Sequence, residues 1–196
     1  MKRCSWSGTE QIYIDYHDNE WGMPEYGSNA LFEKLILDGF QAGLSWITIL
    51  KKRKKFREVF NGFDPEAISN WGTEEVDLLL QNSGIIRHRG KIEATIKNAQ
   101  VFLKIEEREG FNNFLWKYVQ GEPLINRWTD VSQIPAFTTL SIEVSKDLRK
   151  QGFKFCGPII IYAFMQATGM INDHIITCPS FKSCENYSLK HPFFPK

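Results

Sequence analysis

The chain has 196 residues, 42% hydrophobic and 24% charged, with a formal net charge of +1. That is one domain or two small lobes with enough apolar material for a core. No run approaches the roughly 18 apolar residues of a membrane span, and no apolar signal core follows the N-terminal Met-Lys-Arg-Cys-Ser-Trp. A near-neutral total excludes electrostatic capture of nucleic acid by the whole molecule; a cytoplasmic protein with reduced thiols is expected.

In chain order, Ser28 can cap a helix running through Leu31, Phe32, Leu35 and Ile36 toward Gly39. A second helix starts near Leu44 or Ser45 and carries Ile47, Leu50, Phe56, Val59 and Phe60 on one side. Asp64-Pro65-Glu66 is a helix start, a capping Asp followed by Pro at the first helical position, and Trp71-Gly72 ends that helix. Thr73-Glu74-Glu75 opens the next, its acids suited to the positive end of the helix dipole, and Gly84 stops it. Further helices are expected from about Arg89 to Glu107, from Phe111 to Val119, from Ser141 to Lys150 and from Pro158 to Gly169. No repeat, low-complexity tract or convincing strand series interrupts them, so the fold class is all-α.

Charge is uneven along this frame. Lys51-Lys52-Arg53-Lys54-Lys55-Phe56-Arg57, Arg87-His88-Arg89-Gly90-Lys91 and the stretch 146–154 are basic. Each is either a solvated helix face or part of a surface that holds phosphates.

Four residues at the two ends combine metal-ligand chemistry. His174 and Cys178 are four apart, one helical turn; Cys4 and His17 lie at the other end. Two thiolates and two imidazoles make a closed tetrahedral zinc set, which is structural because no position is left for water. The competing reading is free thiols and ordinary histidines, as Cys156 and Cys184 are read here. A hydrolase using the metal is disfavoured by the same closure.

Three other segments carry chemistry. Residues 79–92 place Gly84-Ile85-Ile86-Arg87-His88-Arg89-Gly90-Lys91 between two helices, either a plain basic helical hairpin or a helix-hairpin-helix whose free N–H groups meet a phosphate without reading sequence. Trp6, Tyr13, Tyr16, Trp21 and Trp46 are a concentration of aromatics, suited to core packing or to base stacking. Asp38 precedes Gly43-Leu44, where glycine permits close backbone approach and Leu44 could fill the space of an extruded base.

Together, residues 13–22, 41–53, 84–92 and 152–158 resemble the bacterial 3-methyladenine DNA glycosylase I family over nearly the whole chain, to about Cys178. The resemblance implies a helix-hairpin-helix DNA glycosylase of two helical lobes, with structural zinc on Cys4, His17, His174 and Cys178. It implies base-excision repair by base flipping and hydrolysis of the N-glycosidic bond of N3-methyladenine in double-stranded DNA. It assigns Asp38 to the base's hydrogen bonds, Trp46 to stacking, Trp6, Tyr13, Tyr16 and Trp21 to the pocket, and Gly43-Leu44 to entry into DNA. Gly84, Ile86, Arg87, Arg89, Gly90 and Lys91 are expected at the DNA backbone.

The family's best-known members carry Glu at the position of Asp38, which is one methylene shorter and reaches the base by a pocket shift or through a water. Residues 85–119 contain no Asp, which fits a site that relies on the positive charge of the leaving base. Lys91 is read as a phosphate contact, so a monofunctional monomer without nucleotide cofactor is expected, residues 1–179 forming one domain and 180–196 a flexible tail. The rival reading is a zinc-stabilised, non-catalytic module that binds damaged or bent duplex; a carboxylate beside an aromatic pocket is what it leaves unexplained.

Overall fold

The computed structural model describes residues 2–193. Ten α-helices occupy them: α1 Gln11–Asn19, α2 Ser28–Gln41, α3 Trp46–Val59, α4 Pro65–Ser69, α5 Thr73–Gln81, α6 Arg89–Glu109, α7 Phe111–Trp116, α8 Thr139–Gln151, α9 Pro158–Ala167 and α10 Pro179–Lys190. The expected helical class is what forms. One small parallel pairing was not foreseen, β1 Leu124–Ile125 on β2 Ile171–Asn172.

Local chemistry accounts for most boundaries. The Asp64 carboxylate accepts from the Glu66 N–H at 3.0 Å and Pro65 follows as the first residue of α4. Glu75 reaches back to the Gly72 N–H at 2.7 Å and fixes the start of α5. Thr138 and Ser141 exchange hydrogen bonds at the head of α8. Ser28 does not cap α2; Gly27 holds that position, and the Ser28 hydroxyl instead accepts from the Asn112 N–H at 3.3 Å. Gly39 lies inside α2, where an added Cβ would stand 3.3 Å from the Phe155 Cβ.

One core runs through α2, α3, α6, α8 and α9. Phe32 of α2 meets Phe102 of α6 with ring centroids 4.9 Å apart, and Val144, Leu148, Ile161, Phe164 and Met165 are fully buried behind them. Each such side chain contributes about 1.5–3 kcal/mol of burial free energy. No helix among the described residues is long and apolar enough to cross a membrane.

The two ends of the chain converge. The Glu25 N–H donates to the Thr168 carbonyl at 3.0 Å. At Gly169, with φ +68°, a Cβ would collide with the Met23–Pro24 backbone at 2.4 Å, so only glycine permits that crossing. The segment expected as a flexible tail departs from expectation. Residues 179–190 form α10, Phe181 and Cys184 are buried on it, and the Asn172 side-chain amide donates to the Phe181 carbonyl at 3.0 Å. Residues 194–196 of that tail lie outside the described residues.

Candidate active site

Helix α1, the 3-10 turn Ser5–Ser7, the C-terminal half of α2 and the start of α3 surround a cavity of about 340 Å³. Trp6, Tyr13, Tyr16, Trp21, Asp38 and Trp46 all line it, joined by Lys34 and Gln41 from α2, by Tyr162, Ala163 and Gln166 from α9, and by residues 131–136. Trp6 packs on Tyr13 and Trp21 at centroid distances of 5.2 and 4.8 Å, and Tyr16 on Trp46 at 5.3 Å. A wall of aromatic faces with one carboxylate can take a flat, charged heterocycle.

Asp38 is 2% exposed. Its Oδ1 accepts from Lys34 Nζ at 2.6 Å, while its Oδ2 and the Trp46 indole N–H are buried without a protein partner. The same ammonium stands 3.7 Å from the Trp46 ring centroid. Burial pushes the Asp38 carboxyl above its usual range, against the opposing pull of Lys34, and pushes Lys34 down. Burial and then the nearby Asp38 charge hold the Tyr16 phenol well above its ordinary value, so it stays protonated. Sequence reading did not single out Lys34, although it lies four residues before Asp38 on the same helix face.

A second feature missed from sequence is Asp173, fully buried behind α9. Its Oδ1 accepts from Asn126 and Trp128, both at 2.7 Å, and its Oδ2 from the Tyr162 hydroxyl at 2.6 Å and Gln166 at 2.7 Å. Tyr162 and Gln166 line the cavity, so this carboxylate fixes the wall facing Asp38. The one signal in the sequence was its place beside His174.

Gly43 and Leu44 project from the loop between α2 and α3. Gly43 has φ +82° with open space around it, and Leu44 is 39% exposed. The Gln41 side-chain amide donates to the Leu44 carbonyl at 2.8 Å and braces the loop at the cavity's edge.

Residues 82–88 connect α5 to α6. Ile85 is buried and anchors the turn, Ile86 is half-buried, and Arg87 and Arg89 are exposed. At Gly84 a Cβ would press on the Lys55 side chain at 2.5 Å. The His88 ring caps α6 by accepting from the Lys91 N–H at 3.2 Å, and Gly90 lies against that ring. Arg89 pairs with Asp77 at 2.5 Å.

Lys91 corrects the expectation of a phosphate contact. It is 7% exposed, and its ammonium donates inward to the carbonyls of Phe40 at 2.7 Å and Ala42 at 2.6 Å. The basic run 51–57 is also largely neutralised: Lys51, Arg53, Lys55 and Arg57 pair with Glu10, Glu20, Glu58 and Glu33.

Beside the cavity, Cys4, His17, His174 and Cys178 are all buried, their ligand atoms within 4.8 Å of one another. Cys4 Sγ to His174 Nδ1, Cys178 Sγ to His17 Nε2 and Cys178 Sγ to His174 Nδ1 are each 3.6 Å. A tetrahedral zinc with bonds of about 2.3 Å to sulfur and 2.0–2.1 Å to nitrogen separates S from N by about 3.6 Å. The outer nitrogens are engaged as metal-bound histidines require. His174 Nε2–H donates to the Trp21 carbonyl at 2.9 Å, and His17 Nδ1–H to Asp18 at 2.7 Å, which Arg3 holds in turn at 2.9 Å. Gly22, with φ +85°, leaves the room; a Cβ there would sit 3.0 Å from the His174 ring. The cluster can hold a metal ion.

A family model described as methyladenine glycosylase matches residues 6–182. The chain belongs to the methyladenine glycosylase family. Among this family's members, DNA-3-methyladenine glycosylase 1 of Escherichia coli K12 is 50% identical over 179 residues, covering 91% of this chain and 96% of that protein. The DNA-3-methyladenine glycosylase of Haemophilus influenzae is 49% identical over 178 residues, covering 90% and 96%. The solved structure of 3-methyladenine DNA glycosylase I from Staphylococcus aureus, described for its recognition of 3-methyladenine, superposes with a TM-score of 0.88 at 39% identity, covering 90% of this chain and 95% of that one. The fold of this family member is therefore that of its solved relatives, with helices α5 and α6 forming the hairpin.

Proposed function

We propose that the protein is a DNA-3-methyladenine glycosylase of base-excision repair that removes N3-methyladenine from alkylated double-stranded DNA. The observation that carries the reading to this chain's own residues is the buried Asp38 carboxylate, one oxygen unpartnered, facing an aromatic cavity that Trp46, Tyr16 and Trp6 line.

N3-methylation gives the purine a positive charge and makes it a good leaving group. The nucleotide must be extruded first, at a cost of a few kcal/mol. Leu44 fills the vacated stack while Gly84, Ile86, Arg87, Arg89 and Gly90 meet the backbone of the duplex. The flipped base stacks on Trp46, Asp38 Oδ2 accepts from its exocyclic amine, and Tyr13, Tyr16, Trp6 and Trp21 exclude water from its edges. The C1′–N bond then breaks with its electrons on the base, and water adds to the oxocarbenium-like sugar carbon.

With Lys91 spent on the Phe40 and Ala42 carbonyls and Lys34 held by Asp38, the reaction is read as a simple hydrolysis. Cys4, His17, His174 and Cys178 would hold a structural zinc ion, which would supply no reaction chemistry and would tie α1 to the segment before α10. The protein acts as a cytoplasmic monomer without a nucleotide cofactor, its single catalytic domain including α10.

Incubation of the purified protein with methylated duplex, followed by chromatography of released bases, tests this. Free 3-methyladenine with 7-methylguanine retained is the expected result. Tight binding to duplex without base release would replace the enzyme by a damage-binding module.

A further inference from the structure

The base pocket carries a charge that the proposed reaction has not yet used. Lys34 stands in its wall with the ammonium 2.6 Å from Asp38 Oδ1 and 3.7 Å from the Trp46 ring centroid, its side chain only 15% exposed. A cation on a tryptophan face, hydrogen-bonded to a carboxylate, is the pair of interactions a cationic purine would make here. Lys34 takes one Asp38 oxygen and leaves the other, the unpartnered Oδ2, for the base. In a buried site such a charge is poorly screened.

The base changes charge during the reaction. When the C1′–N9 bond breaks, both electrons stay on N9. The purine passes from a positive charge to neutral, the positive charge moves to the sugar, and the water that adds at C1′ gives up its proton to solvent. Asp38 alone would hold the cationic substrate best and resist that redistribution. An ammonium beside the purine does the reverse, since it opposes the charged base and favours the neutral one.

We propose that Lys34 sets the charge preference of the pocket. Its ammonium offsets Asp38, weakening the hold on the cationic purine of the substrate and favouring the neutral purine that departs. The inference rests on the glycosylase reading above and concerns how that reaction is divided between binding and bond breaking.

Lys34→Gln keeps a donor to Asp38 and removes the charge; Lys34→Met removes both. Binding of 3,9-dimethyladeninium, a fixed cation, and of neutral 3-methyladenine is followed by tryptophan fluorescence, with kcat and KM measured on methylated duplex. Loss of the charge should tighten the cation about tenfold, leave the neutral base within about threefold, and lower kcat and KM together, as removal of ground-state destabilisation does. Equal shifts for both probes, unchanged binding, or weaker binding of the cation would overturn the proposal. If one variant fails to show a cooperative melt, the other decides. Base release by the unaltered protein, run in parallel, separates a failure of this inference from a failure of the glycosylase reading.

Discussion

The Lys91 ammonium donates to the Ala42 carbonyl at 2.6 Å and so closes the C-terminal end of α2 from the first turn of α6. Its second bond, to the Phe40 carbonyl at 2.7 Å, completes the bracket. The hairpin proposed to hold duplex and the Gly43-Leu44 loop proposed to enter it are thereby one rigid part. Lys91→Met leaves the buried Phe40 carbonyl and the half-buried Ala42 carbonyl without their donor and should destabilise the fold by about 1–3 kcal/mol in urea denaturation. The salt dependence of DNA binding should not change. A flatter salt slope at full stability would return Lys91 to the phosphate backbone.

Asp38→Asn should lower kcat/KM on N3-methyladenine about 10–100-fold and narrow the preference over unmodified adenine. The pH dependence follows from burial, which raises the Asp38 carboxyl above its ordinary value. The active carboxylate is lost as pH falls through that raised value, so the acid limb of single-turnover excision should lie above the roughly 3.9 of a free Asp. Ionising a group whose pKa is raised by folding lowers stability as pH rises from its unfolded to its folded value. Asp38→Asn should remove that slope from a set of melting curves as well as the acid limb; a variant that retains both would exonerate Asp38.

Asp18 bridges Arg3 and His17 without touching the proposed ion. Asp18→Ala should weaken zinc affinity about 10–100-fold in competition with a chromophoric chelator. Stripping the metal should lower the melting temperature, and metal analysis of Cys178→Ser should return less than one zinc per chain. Full occupancy in that variant would exclude Cys178 as a ligand.

Asp173→Asn removes one of two acceptor oxygens that serve four side-chain donors. A loss of about 3 kcal/mol is expected, against about 1 kcal/mol for Tyr162→Phe, which deletes a single donor. Zinc content should stay whole in both, distinguishing a displaced cavity wall from a damaged metal site next door. Equal stability of Asp173→Asn and the unaltered protein would show that the wall does not depend on this carboxylate.

The sequence was most informative where local chemistry decides the outcome. Asp64-Pro65, Thr73 to Glu75 and the apolar period of residues 31–36 announce helices because their signals lie within a turn or two. The Cys and His spacing and the aromatics around residues 6–21 left free thiols and plain core packing open as readings, and it was the family resemblance that turned them toward a metal cluster and a pocket. Lys91 and Lys34 were harder. A lysine near a hairpin reads as surface charge, and only the path of α2 past α6 shows its ammonium turned inward. Lys34 sits in a helix whose Leu31 and Leu35 suggest core, and its charge acquires meaning only with Trp46 folded across it. The segment after Pro179 lies beyond the family resemblance and was expected as a tail for that reason; what the structure adds is the Asn172 amide on the Phe181 carbonyl and Cys184 packed at the Trp21 carbonyl.

The meeting of Cys4 and His17 with His174 and Cys178 also orders events during synthesis. A chain is made and begins to fold from its N-terminus, so Trp6, Tyr13, Tyr16 and Trp21 emerge long before the residues that fix them. Until His174 arrives, nothing donates to the Trp21 carbonyl from that side. The aromatic side of the cavity is the first part translated and the last part locked, and a nascent chain that ends between Gln166 and His174 would carry the cavity's lining residues without the His174 and Cys178 that meet Cys4 and His17.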